Sequence, residues 1–285
     1  MKKLLFVFVF AALCGVMSAQ GQALLNDAFI TQAGEDNLAF INQGSSAFSS
    51  AYINQEGEMN EAAIMQQGIG NLAGSSNLPE SMTFDFSMPD VTLAWLWWPQ
   101  GEYYTPDFYV WLFTDVKLGI EQFGTKNDAA IEQYGAFNAA GIQQNGYKNY
   151  AKTVQNGELN FSLVKTSGMF NYTNNLQTGA LNLAYQQVGG GLNYLDIKQD
   201  GLFNSAFQFV EGGMNMALID QAGLGNSALQ WIEGIGNFGM IDQVGVGNRA
   251  VEVVHGIGND AVIVQNGNGN DAMILQGYGF GGGQE

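Results

Sequence analysis

Asparagine recurs every eleven residues, fourteen times in succession, from Asn127 through Asn138 and Asn149 to Asn259 and Asn270. A glycine follows each of these by eight residues, from Gly135 to Gly267, failing only in the last unit, where Tyr278 stands. The unit reads Asn-x-Ala-x-Ile-x-Gln-x-Gly-x-x, as in the stretches beginning at Asn127, Asn215 and Asn259. A period held this long means an array in which each unit stacks on its neighbours.

Asn, Ala, Ile and Gln occupy alternate positions, so in a strand all four point to one face. Positions two apart do not share a helical face, and the recurring glycine argues against a helix as well. Each unit therefore predicts one strand of about seven residues, closed by a glycine turn. The position two after Asn is Ala in ten of the fourteen units, and Ser, Thr or Gly in three more. The interior is thus narrow. Asn and Gln inside it are costly unless paired, and in-register stacking lets each amide bond to the same amide of the next coil.

A second period pairs the units. Those at Asn193, Asn215, Asn237 and Asn259 carry Ile then Gln at their fourth and sixth positions. The units between them reverse this order: Gln186-Val188, Gln208-Val210, Gln230-Ile232 and Glu252-Val254. The repeat is therefore 22 residues, with two non-equivalent strands per coil. The fold expected is an all-β, flat two-sheet β-solenoid of 22-residue coils, each built from two 11-residue strand-turn units, with an aromatic insertion.

Five segments follow. Residues 1–19 read as a secretory signal, with Lys2 and Lys3, an apolar run from Leu4 to Leu13, and Ser18-Ala19 as a cleavage region. Residues 20–76 form a first repeat block, with units at Asn26, Asn37, Ser49 and Asn60, a broken one at Asn71, and one extra residue near Gly44 to Phe48. Residues 116–277 form the main block, opening on a degenerate unit at Val116, and 278–285 are a Gly-rich tail. Between the blocks, 77–115 hold all four prolines and four of the five tryptophans. That insertion is either a loop or small hairpin folded on the solenoid flank or an adhesive or filament-pairing surface.

Cys14, the one cysteine, lies inside the signal, so no thiol chemistry is expected of the mature chain. Without Lys2 and Lys3, seven basic residues face 26 acidic ones, a balance that argues against nucleic acid and anionic lipid as partners. No other stretch is long and apolar enough for a membrane-spanning helix. Outward Asp196, Asp220 and Asp242 read as a column of like charge that opposes premature β-aggregation. Lone carboxylates at the coil spacing make no calcium cage. A stripe of outward apolar residues, Phe207 and Phe209, Leu229 and Trp231, Val251 and Val253, reads as a lateral interface for the insertion or for a second filament. One histidine, His255, and few basic residues leave no catalytic, metal or cofactor constellation, so no enzyme and no cofactor are expected.

The stretches Gln221-Ala-Gly223-Leu-Gly225-Asn226-Ser-Ala228 and Gln265-Asn-Gly267-Asn-Gly269-Asn270-Asp-Ala272 resemble the curlin repeat of curli fibre subunits. The resemblance covers 26–73 and 116–276. It implies a secreted functional amyloid that self-assembles on the cell surface into fibres of a biofilm matrix. An outer-membrane export pore and a nucleator or companion fibre subunit would be its partners. Carried over to this chain, it assigns the amide ladder to Gln133, Asn138, Gln144, Asn149, Gln155, Gln199, Gln221, Asn226, Gln243, Asn248, Gln265, Asn270 and Gln276. The alternative is a monomeric secreted β-solenoid adhesin that binds glycans or surfaces through its aromatic insertion.

Overall fold

The computed structural model describes residues 26–73 and 118–277. The signal at 1–19, the insertion at 77–115 and the tail at 278–285 lie outside the described residues. What is described contains no helix; it is twenty strands in two parallel sheets joined into one solenoid. The chain passes from one sheet to the other at every turn, so each strand pairs with the strand one full coil further along. Thus Tyr172–Ala180 (β11) lies against Tyr150–Glu158 (β9) on one side and Tyr194–Leu202 (β13) on the other. We call sheet A the one that begins with Asp27–Ala33 (β1), and sheet B the one that begins with Leu38–Ala47 (β2).

Most strands are nine residues long, two more than the sequence spacing predicts. The glycine eight after each Asn stays inside the ladder, at φ between 101° and 131° in the stretch from Gly124 to Gly267, and so lengthens the strand. The turn proper is a single left-handed residue just before the next Asn. It is glycine at Gly225, Gly236, Gly247, Gly258 and Gly269, whereas in earlier coils it is Phe, Leu, Met, Lys or Asp at every turn but that of Gly70, as at Phe137 (φ 55°) and Leu192 (φ 60°). Left-handed backbone costs a residue with a Cβ about 1–2 kcal/mol, so the earlier coils store strain that the later ones avoid.

Inside, the alternation holds. Ala140, Ile142, Ala184, Ile197, Ala217, Ile219 and Ile241 are buried between the sheets. The extra residue of the first block is absorbed in β2, whose register against Glu61–Ile69 (β4) shifts between Asn42 and Ser45. Gln43 Nε2 still donates to Gln66 Oε1 at 2.8 Å, so the amide ladder passes the bulge intact.

The two repeat blocks meet in a single strand position. Leu72–Ala73 (β5) and Gly119–Thr125 (β6) are two halves of one strand position in sheet A. The first pairs Ser50 and Ala51 with Leu72 and Ala73, and the second pairs Ile53 through Glu58 with Ile120 through Thr125, both against Ser50–Glu58 (β3). The broken unit at Asn71 and the unit counted from Val116 are therefore a single unit split after Ala73, and both blocks belong to one stack. Deleting 74–118 joins Ala73 to Gly119 and writes Asn-Leu-Ala-Gly-Ile-Glu-Gln-Phe-Gly, a regular unit. We expect the variant to keep the β-sheet circular dichroism of the parent; its loss would make the inserted residues part of the core.

Candidate assembly interface

Two kinds of ladder run the length of the solenoid. In sheet B the glutamine ladder is unbroken, each Nε2 donating to the next Oε1 from Gln43 and Gln66 through Gln133, Gln155, Gln177, Gln199, Gln221 and Gln243 to Gln265, at 2.7–2.9 Å. The second Nε2 hydrogen goes to a backbone carbonyl across the core, as from Gln199 to Leu183 O at 3.0 Å. Every interior glutamine of this sheet B ladder is thereby satisfied. Losing one link would cost about 1 kcal/mol, and more where a buried group is left orphaned.

Sheet A carries two shorter ladders. One runs Gln32, Gln55, Gln122, Gln144 at 2.7–2.8 Å; the other runs Gln186, Gln208, Gln230 at 2.8–2.9 Å, two residues earlier in the unit. Between them Phe161–Met169 (β10) holds Ser162, Val164 and Thr166 instead. Here Thr153 and Ser162 hydroxyls sit 3.1 Å apart, and Asn175 Nδ2 donates to Ser162 Oγ at 2.8 Å. Thr166 Oγ1, Asn175 Oδ1 and Gln186 Oε1 are left without partners. This polar fault was not foreseen, although the small hydroxyl residues at inward positions of the units at Asn149, Asn160 and Asn171 mark it in the sequence.

Asparagines ladder with the opposite polarity. The backbone N–H of Asn149 donates to Asn127 Oδ1 at 3.2 Å and that of Asn171 to Asn149 Oδ1 at 3.2 Å, and so on to Asn259; the other corner runs from Asn71 through Asn138, Asn226 and Asn248 to Asn270. The asparagines between the end coils also tie down the glycine at the same corner of the next coil, as Asn193 Nδ2 does with Gly212 O at 3.0 Å. The ladder residues foreseen from Gln133 to Asn270 all lie in these columns. Gln276 sits at the equivalent position of Asp271–Gln276 (β20), the last strand of sheet A.

Glu252 interrupts the second sheet A ladder. It pairs in register with Gln230 on one side and Ile274 on the other, is fully buried, and neither carboxyl oxygen has a hydrogen-bond partner. Burial pushes its pKa up to about 8. Opposite it stands Gly239, where most units have Ala; a Cβ there would come within 1.9 Å of Glu252 Oε1. Gly239→Ala is therefore expected to destabilise the chain by about 2 kcal/mol, and to cost under 1 kcal/mol when Glu252→Gln accompanies it. Equal effects in both backgrounds, by denaturant titration, would uncouple the pair.

The aspartate column is corrected. Asp220 and Asp242 are in register at the fifth position of their units, but the residue below Asp220 is Lys198, whose Nζ lies 3.3 Å from Asp220 Oδ2. Asp196 sits at the third position and accepts from Asn174 Nδ2 at 2.8 Å. The column is thus Lys198-Asp220-Asp242, of mixed sign.

On the outer face of sheet A, Phe207, Leu229 and Val251 form one column and Phe209, Trp231 and Val253 another. Trp231 is 39 % exposed, whereas Phe207 is buried in a cluster with Leu163 and Tyr185, so the stripe is not exposed throughout. Tyr185 Oη donates to Gln187 Oε1, and burial pushes its pKa up to about 12. Sheet B presents a column missed from the sequence: Tyr150, Tyr172 and Tyr194 stack face to face at 4.7 and 4.9 Å. The signal was there, in tyrosine directly after three successive alternate asparagines.

Among the described residues no group of three or more His, Cys, Asp or Glu could hold a metal ion, and no helix is long and apolar enough to cross a membrane. No family model matches the chain, and a search of the curated proteins gives no match. The fold defines the class: a repeat protein built as a parallel two-sheet β-solenoid.

Proposed function

We propose that this chain is a secreted structural protein that polymerises by stacking coil on coil into curli-like extracellular fibres of a biofilm matrix, serving adhesion. One observation carries the reading: the ladders end unsaturated and with complementary polarity. Among the described residues nothing donates to Gln32 Oε1 or Gln43 Oε1 at one end, or to Asn259 Oδ1 or Asn270 Oδ1 at the other. β1 is exposed along its whole length, and β20 is only half-buried at the inward positions Ala272, Ile274 and Gln276. An exposed parallel strand with an unmatched amide row templates addition of another strand. Curlin-like export through an outer-membrane pore, with a nucleator or companion subunit, belongs to the same reading and rests on the repeat motif alone. A second reading, a monomeric adhesin, draws on the stacked tyrosine column, whose partly exposed ring edges at Tyr172 and Tyr194 suit a glycan or a hydrophobic surface.

Seeded growth separates the two. Replacing Gln265, Asn270 and Gln276 with Ala should slow fibre elongation from preformed wild-type seeds several-fold, because each removes an end bond worth about 1 kcal/mol. Leu218→Ser with Leu229→Ser, outward and away from the ends, should leave it within about twofold. Equal slowing by both sets removes end templating; a wild-type chain that binds glycan but never elongates seeds favours the adhesin.

A further inference from the structure

β5 and β6 share one position, so the described solenoid has nineteen strand positions, ten in sheet A and nine in sheet B. The count is odd. The chain enters on β1 in sheet A and leaves on β20, also in sheet A, so the next half-turn of the spiral falls in sheet B, upon Asp260–Asn268 (β19). Resting on the polymerisation read above, we propose that a second copy joins end to end with its sheets exchanged: its β1 stacks on β19 of sheet B, and its β2 stacks on β20 of sheet A.

The inward residues fit this joint at every position. β1 offers Ala28, Ile30 and Gln32 to Ala261, Ile263 and Gln265; β2 offers Ala39, Ile41 and Gln43 to Ala272, Ile274 and Gln276. Gln265 Nε2 then finds Gln32 Oε1 of the next copy, and Asn259 Oδ1 receives the Asn26 backbone N–H. Exchange is possible only if both sheets carry one inward pattern at the ends. They do so there, and sheet A departs from that pattern only after Ala139–Tyr147 (β8). From Leu183–Gly191 (β12) through Arg249–Ile257 (β18), sheet A places an amide or acid fourth and an aliphatic sixth, yet β20 returns to Ile274 then Gln276. Within one chain that return is costly, because it sets Ile274 against the Glu252 carboxyl and Gln276 against Val254. At the exchanged joint it becomes the required match. The unexchanged joint, β1 on β20, leaves a missing strand in sheet B and orphans the backbone donors and acceptors on both sides of the gap.

Paired cysteines distinguish the joints. In the full chain carrying Cys14→Ser, outward residues in register across adjoining parallel strands have Cα atoms ~4.8 Å apart, within disulfide range. Thr31→Cys with Val264→Cys reports the exchanged joint, and Thr31→Cys with Leu275→Cys the unexchanged one. After oxidation of filaments grown under reducing conditions, the first pair should give a ladder of covalent multimers at least tenfold more abundant than the second. Equal or stronger multimers from the second pair, or filaments in which neither pair links, overturn the exchange and leave polymerisation standing. Absence of filaments in the Cys14→Ser parent overturns polymerisation itself.

Discussion

Alanine in place of Gly190 is expected to cost about 3–5 kcal/mol, summing a strained backbone with overpacking, and to break the stack at that coil. Gly190 lies at φ 101°, where a side chain is strained in any surroundings. A Cβ there would stand 1.9 Å from Gly212 O, the backbone of the next coil. That carbonyl is the acceptor of Asn193 Nδ2, so moving it away also breaks an Asn bond. Gly225 is the control. It too has positive φ, 67°, but a Cβ there meets nothing within 4 Å, and earlier coils place Phe or Leu at the same turn position. Gly225→Ala should cost about 1 kcal/mol. Denaturant midpoints of the two variants measure the contrast, and similar losses would mean that close packing of the glycine column is not what holds the coils together.

The second large effect is a pH dependence centred on Glu252. Its carboxyl titrates near 4.5 in an unfolded chain and at about 8 in the solenoid. Between those values the native state holds a proton that the unfolded state has released. The contribution of this group is therefore most favourable below pH 4.5 and declines as pH rises to about 8, by about 1.4 kcal/mol per pH unit. Among the described residues no other acid or base occupies an inward position, so nothing in the core offsets the charge once formed. Glu252→Gln restores an amide beside Gln230 and should be more stable than wild type by about 3 kcal/mol at pH 9, with little difference at pH 4. Parallel stability profiles for the two proteins would show that the carboxyl is not neutral in the fold.

How much of this could be read from the sequence follows from which interactions are local. Strand, turn and inward face are written within eleven residues, and the exchange of Gln186-Val188 with Ile197-Gln199 marks two sheets, because it depends only on neighbouring units. The splice after Ala73 was misplaced for a tertiary reason. Val116-x-Leu118-x-Ile120 fits a strand locally as well as Ala73-Gly119-Ile120 does, and only pairing with Ala51 and Ile53 selects the second. The same holds for the aspartates. Asp196 looks equivalent to Asp220 until each is counted from its own Asn, when one falls on the third position and the other on the fifth. The orphaned Glu252 was legible as a Gln-to-Glu change, but its meaning required Ile274 above it and Gly239 across from it.

The most direct measurement is electron cryomicroscopy of whatever the purified full chain forms on standing at micromolar concentration. The account predicts filaments whose strands lie perpendicular to the axis at ~4.8 Å spacing, in two facing sheets, with each chain contributing ~46 Å of length. A chain that stays monodisperse, or filaments whose strands run along the axis, would contradict it.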